Sequence, residues 1–305
     1  MLITFSQKPS TRFNIRSITL PTRSHPTTHK IEQELNKLKA WEATTTPTKA
    51  STICSALLGL KELYSSIGDL LSLPLTQQAL SQHQDEKWVH ELVDGSLTHL
   101  DFCGNTRDAI LMMKQSVREL QSAIRRRKVG DSNIESNVNE YMSFRKKLKK
   151  QLGLFMASLK QMDSKCGGLP LDLNSHLSAV VRALREASLI TSSIFQSLSL
   201  FLSTPLLKSK PSKWSLVSIM VHKGVMANDT NQEKSKINEL EMVDISLGNL
   251  FSNSSSEDAE EENFQLAQKK LEALDFVFEG LENGLECLYR LLIQNRVCLL
   301  NILSH

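Results

Sequence analysis

At 305 residues the chain is long enough to bury a large core, as one domain or two. Glycine (12), proline (8) and aromatic residues (6%) are scarce, which suits long helices and excludes a many-stranded sandwich with its frequent turns. A net charge of +3 is too small to imply nucleic-acid binding by itself, and nucleic acid is not an expected partner.

Residues 1–26 read as a disordered basic arm. Lys8, Arg12, Arg16 and Arg23 precede the first carboxylate, Glu32, and Pro9, Pro21 and Pro26 break any period. Met1–Phe5 is too short an apolar run for a secretory signal, whereas the Arg, Ser and Thr content also fits a plastid or mitochondrial transit segment. Within the arm, Arg16, Ser17, Thr19 and Pro21 match RSx[S/T]xP, the pattern read by 14-3-3 proteins once the central hydroxyl is phosphorylated. A phosphate on Thr19 offers three strong acceptors to an arginine cluster. The bland alternative is an inert arm.

The first helix starts at Thr27 or Thr28, and Ile31, Leu35, Leu38 and Trp41 fall on one face. The linker Ala43–Lys49 precedes a second helix over about Ser51–Leu73, and Pro74 opens a short third one. A long helix follows over about Asp85–Val129, where Asp94-Gly95 allows a kink and Gly130-Asp131 supplies the stop. The next, about Asn133–Asp163, turns Val138, Tyr141, Phe144, Leu148 and Leu152 inward and sets Arg145, Lys146, Lys147, Lys149 and Lys150 on its outer face.

After the break at Cys166–Pro170 a helix spans about Asp172–Ser203, and a shorter one about Lys213–Val225. Leu189–Leu207 approaches membrane-span length, but its Ser/Thr content and Pro205 favour a buried core helix. A polar insert at about 226–236 and an acidic, Ser-rich loop at about 252–262 flank a helix over Ile237–Phe251. The last helix, about Glu257–Leu303, keeps Leu266, Leu271, Leu274, Phe278, Leu281, Leu285, Leu288, Leu292, Val297 and Leu300 at three- and four-residue steps. Its C-terminal half is apolar nearly all round, so it is expected to be sheathed by neighbours. The fold class is all-α: an elongated antiparallel multi-helix bundle, with residues 27–305 as one domain behind the arm.

No chemistry converges. His83, His90 and Glu91 lack metal-ligand spacing, HEXXH, GxSxG and phosphate-loop patterns are absent, and no cofactor is expected. The five cysteines form no CxxC pair and read as buried reduced thiols. The basic clusters carry more. Arg125, Arg126, Arg127 and Lys128 end one helix, and Arg145–Lys150 lie on the next. If the two helices fold back about Gly130, both clusters come to one end of the bundle, as a solvated face, an anionic-lipid patch or a nuclear-import signal.

The strings RSITLPTRSHP, LPLTQQAL, DGSLTHLD, TRDA and GLECLYRLLIQNRVCLLNIL together resemble the land-plant family of domain of unknown function 241, the BYPASS-like proteins. The resemblance covers about residues 16–304 and is loosest over 205–262; Cys298 stands where the family pattern has serine. It implies a helical protein without enzymatic activity. It also implies a role in root and shoot development through a mobile root-derived signal, with related helical proteins connected to vesicle traffic. The expectation is therefore a non-enzymatic, cytoplasmic interaction or scaffold protein of developmental signalling, with protein partners. The alternative is a peripheral membrane factor that meets anionic lipid through its basic helix ends.

Overall fold

The computed structural model describes residues 26–44, 49–126, 132–165, 173–204, 237–251 and 257–304. Those residues form eight helices: α1 (Pro26–Thr44), α2 (Ala50–Leu71), α3 (Pro74–Ser81), α4 (Lys87–Arg126), α5 (Ser132–Lys165), α6 (Ser175–Leu202), α7 (Glu239–Asn249) and α8 (Glu257–Leu303). The basic arm, its Arg16–Pro21 motif, the helix expected over Lys213–Val225 and most of the two inserts lie outside the described residues.

Local chemistry sets the ends. Leu73 is extended (φ −71°, ψ 129°), as a residue before proline prefers, and Pro74 then occupies the first turn of α3, where its missing N–H costs nothing. Asn174 and Asn238 cap α6 and α7, each side-chain oxygen accepting from the backbone N–H three residues on, at 2.8 Å. The carboxylates of Asp258, Glu260, Glu261 and Glu262 lie in the first turns of α8, where the helix dipole favours negative charge. Asp94-Gly95 does not interrupt α4, which runs 40 residues.

Side-chain pairs fix the directions. Arg107, Lys114, Arg118 and Arg125 of α4 meet Glu286, Glu282, Asp275 and Glu272 of α8 in descending order, so the two helices are antiparallel. Phe102 lies edge-on to Phe155, and Gly95 faces Met162, so α4 and α5 are antiparallel too. Phe102 stacks on Phe195 at 4.3 Å while His99 meets Ser192, which sets α6 parallel to α4. Gly280 and Gly284 of α8 pass Cys54 and Leu57 of α2, and Asn295 reaches Tyr64, so α2 and α8 run parallel. A Cβ on Gly284 would lie 3.1 Å from Leu57 Cδ1, so glycine permits this close crossing.

The buried apolar side chains form one contiguous core to which all eight helices contribute. Its centre is α6, which packs against α1, α2, α3, α4 and α5. It buries Val180, Val181, Ala187, Ile194, Phe195 and Leu198. The stretch read as a core helix is that helix through Leu202, and no described helix is long and apolar enough to cross a membrane.

The last helix departs from expectation. It buries one stripe through Leu271, Leu274, Phe278, Leu281, Leu285, Leu288 and Leu292. Its back is not sheathed: Leu266, Ile293, Val297 and Leu300 are exposed. The physical reason is position, since α8 packs against α2, α3, α4 and α7, and these leave the face with Ile293, Val297 and Leu300 uncovered among the described residues.

Candidate functional site

The sequence places two kinds of cation on α4 and α5, and the structure treats them differently. On α4, basic residues recur at steps that keep them beside α8, and each meets a carboxylate: Arg107–Glu286 at 2.7 Å, Lys114–Glu282 at 2.9 Å, Arg118–Asp275 at 3.0 Å and Arg125–Glu272 at 2.9 Å. Arg290 and Arg107 together hold the Glu286 carboxyl below the usual carboxylate range. The Arg107 guanidinium also lies over the Tyr289 ring, 5.0 Å from its centroid. Arg125 is thus part of this seam, while Arg126 is exposed and bonds back to Ser122 O. Arg127 and Lys128 lie outside the described residues.

On α5, Lys146, Lys147, Lys149 and Lys150 are all exposed. Among the described residues none of the four has a carboxylate within ion-pair distance. They do not join the end of α4. They lie 14–18 residues beyond Ser132, the first residue of α5, which is about 21–27 Å along the helix at 1.5 Å per residue. The Phe102–Phe155 and Gly95–Met162 contacts put them level with Arg107–Leu111 instead. The expectation of one basic end is therefore corrected: a mid-helix lysine face and an ion-paired helix end are separate features.

Arg145 is a second correction. It does not belong to the outer face. Its side chain is 2% exposed and pairs with Asp244 of α7, whose side chain is 0% exposed. Its Nη2 also donates to Thr204 O at 3.0 Å, just past the end of α6. Tyr141, one turn earlier on α5, has its ring 6.0 Å from the guanidinium. Burial pushes the Asp244 carboxyl up, against the opposing pull of Arg145, and burial pushes the Tyr141 phenol well above its ordinary value. The pair pins α7 and the end of α6 to α5. Spacing carried this signal: Tyr141, Arg145, Leu148 and Leu152 share one stripe.

A buried polar row went unnoticed in the sequence. His99 meets Ser192 Oγ at 3.1 Å and stands edge-on to Phe195. Burial lowers its pKa to about 4, so the ring is neutral. Tyr64 hydrogen-bonds Thr191 at 3.1 Å, and Thr191 donates to Ala187 O. Asn295 of α8 donates to Tyr64 O at 2.8 Å, and Arg296 donates to Val93 O and Ser96 Oγ. These bonds tie α2, α4, α6 and α8 at one level. Their polar atoms are occupied with one another, and they read as internal fastening rather than a reaction centre.

Other candidates disperse. His83 packs on Trp88 with ring centroids 6.1 Å apart, and His90 is exposed. Among the described residues no group of three or more His, Cys, Asp or Glu is arranged to hold a metal ion. Four cysteines are free thiols; Cys103 is buried, Cys54 and Cys298 are half-buried, and Cys287 is exposed, contrary to the reading of all as buried.

The described residues define an all-α bundle with an ion-paired seam between α4 and α8. The family model described as Protein BPS1 matches residues 56–302, and the chain belongs to that family, the BYPASS-like proteins of domain of unknown function 241. The family is linked to plant development and has no known catalytic activity. No curated protein and no solved structure matches the chain.

Proposed function

We propose that this chain is a non-enzymatic interaction protein of plant root and shoot developmental signalling, and that it works by being bound. The observation that carries this reading is the uncovered back of α8. Ile293 (37% exposed), Val297 (50%) and Leu300 (39%) follow one another at helical steps on a single face. Contiguous apolar side chains on an outer helix are the usual substrate of helix-to-partner contact. The N-terminal arm adds a second partner surface, with phosphorylated Thr19 presented to 14-3-3 proteins. Cytoplasm is the compartment that suits both.

The test is proximity labelling in plant tissue with the parent chain and Val297→Glu. A set of neighbours should be lost with the variant while its melting temperature holds. An unchanged neighbour set removes this face from the function.

A second reading rests on a different observation, the four exposed lysines of α5 without a carboxylate partner among the described residues. Such a face suits an anionic lipid surface, at about 1 kcal/mol per basic residue close to the membrane. Flotation with phosphatidylserine vesicles separates the two readings: Lys146→Glu with Lys149→Glu should release the chain if lipid is the partner.

A further inference from the structure

Three helices leave a cleft of about 290 Å³ between them, bounded by α4, α5 and α6. Ligand sites begin near this volume and favour a mostly apolar wall with a few placed charges. Its α4 side carries Trp88, Glu91, Leu92 and Asp94, which recur at helical steps facing the opening. Met162 of α5 and Leu189 of α6 supply further apolar wall, and Arg185 of α6 is the one cation among the described lining residues.

Gly95 makes the floor. It is buried in the interior of a 40-residue helix, where glycine is less favourable than alanine. A Cβ there would lie 3.3 Å from Met162 Sδ and 3.9 Å from Ser188 Oγ, so any larger side chain would intrude into the cleft.

The charges indicate the sign of an occupant. The described lining carries two carboxylates and one guanidinium, with Lys87 beside Glu91 just outside it. Arg185 already looks at Glu91, at 3.9 Å, and Lys87 reaches the same carboxylate only at 3.6 Å from a side chain that is almost wholly in solvent. Asp94 has no ion pair with a described residue and lies at the exposed rim. Arg185 is already engaged with Glu91, so the charge left without an ion pair among the described lining residues is the negative one on Asp94. A cation meets Glu91, Asp94 and the indole of Trp88 together.

We propose that this cleft binds a small organic amine with an apolar body. Its ammonium sits between Glu91 and Asp94 beside Trp88, and its body lies on Leu92, Met162 and Leu189. This ligand site is independent of the α8 surface and of the lysine face.

The experiment uses the full chain, titrated calorimetrically and by thermal melting with three amines: 2-phenylethylamine, cyclohexylamine and phenyltrimethylammonium. The anion 3-phenylpropionate is the control. At least one amine should bind saturably with one site and raise Tm by a few degrees at about ten times its Kd, while the anion does neither. Asp94→Asn, at an exposed position, should weaken that binding about fivefold. Gly95→Leu should abolish it, and Asp94→Asn alone decides if Gly95→Leu does not fold. Failure of all three amines to bind, equal binding of 3-phenylpropionate, or unchanged affinity in Asp94→Asn would each overturn the assignment.

Discussion

Helix α6 and the apolar C-terminal half of α8 are covered very differently. The first is interrupted by serine and threonine yet is buried over most of its surface, with Arg182, Leu189 and Leu200 left exposed; the second is almost continuously apolar at its C-terminal end yet, among the described residues, is covered on one face only. The difference lies in where hydroxyls place their hydrogen bonds. Thr191 of α6 donates to the Ala187 carbonyl one turn back, at 2.6 Å, so its side chain enters the core with its donor capacity used, and half-buried Ser197 donates in the same way at the rim, at 3.1 Å. They also stay small, which lets α1, α2 and α4 approach. Bulky leucines on α8 fill one stripe and leave the remainder to solvent. A helix is central because its neighbours can come close, not because it is the most hydrophobic.

The largest test of this contrast is Leu285→Asp, on the fully buried stripe of α8. It buries an unpaired charge and should cost at least about 4 kcal/mol, seen as loss of the cooperative thermal transition. Next is Asp244→Ala, which strands the Arg145 guanidinium at the foot of α6 and should cost about 3–5 kcal/mol in urea unfolding. Replacing both Arg145 and Asp244 by apolar residues should recover most of that loss.

A pH effect comes third. The folded chain keeps His99 neutral down to about pH 4, whereas the unfolded chain protonates it below 6.5. Stability is therefore present above 6.5 and is lost as pH falls toward 4, by about 2 kcal/mol between pH 7 and pH 5. His99→Gln should flatten that part of the profile.

Ser199 sharpens the hydroxyl argument by exception. Its Oγ is buried without a hydrogen-bond partner, so Ser199→Ala should raise stability by about 1 kcal/mol. The smallest expected effect is Val297→Glu, within about 0.5 kcal/mol of the parent by thermal melting. If it is as damaging as Leu285→Asp, the back of α8 is not free and the contrast fails.

Much of the architecture was legible because long apolar periodicity is a strong signal. The bounds of α2, α4, α5 and α8 lie within three residues of the readings from spacing and caps. What spacing does not contain is which helices end up as neighbours. The lysines around Arg145 point it to solvent, although its register with Tyr141 and Leu148 points inward. Its partner lies 99 residues away on a helix with its own caps. His99 went unnoticed for a related reason, since its partner Ser192 belongs to α6. The cleft was invisible for the same cause: Gly95 is an unexplained helix breaker until α5 and α6 are seen beside it.

The parallel contact between α2 and α8 joins groups 231 positions apart, as in the bond from Asn295 to Tyr64. During synthesis, α2 is complete long before the segment that covers it has been translated. At 5–20 residues per second, the interval from Leu71 to Leu303 is roughly 10–50 s. Throughout it the leucines of α2, and those of α4 once Arg126 is passed, lack the cover that α8 will supply. Translation speed and the supply of ribosome-associated chaperones should therefore set the yield of this protein in a cell, and a premature stop anywhere in α8 should yield aggregate rather than a shortened, working chain.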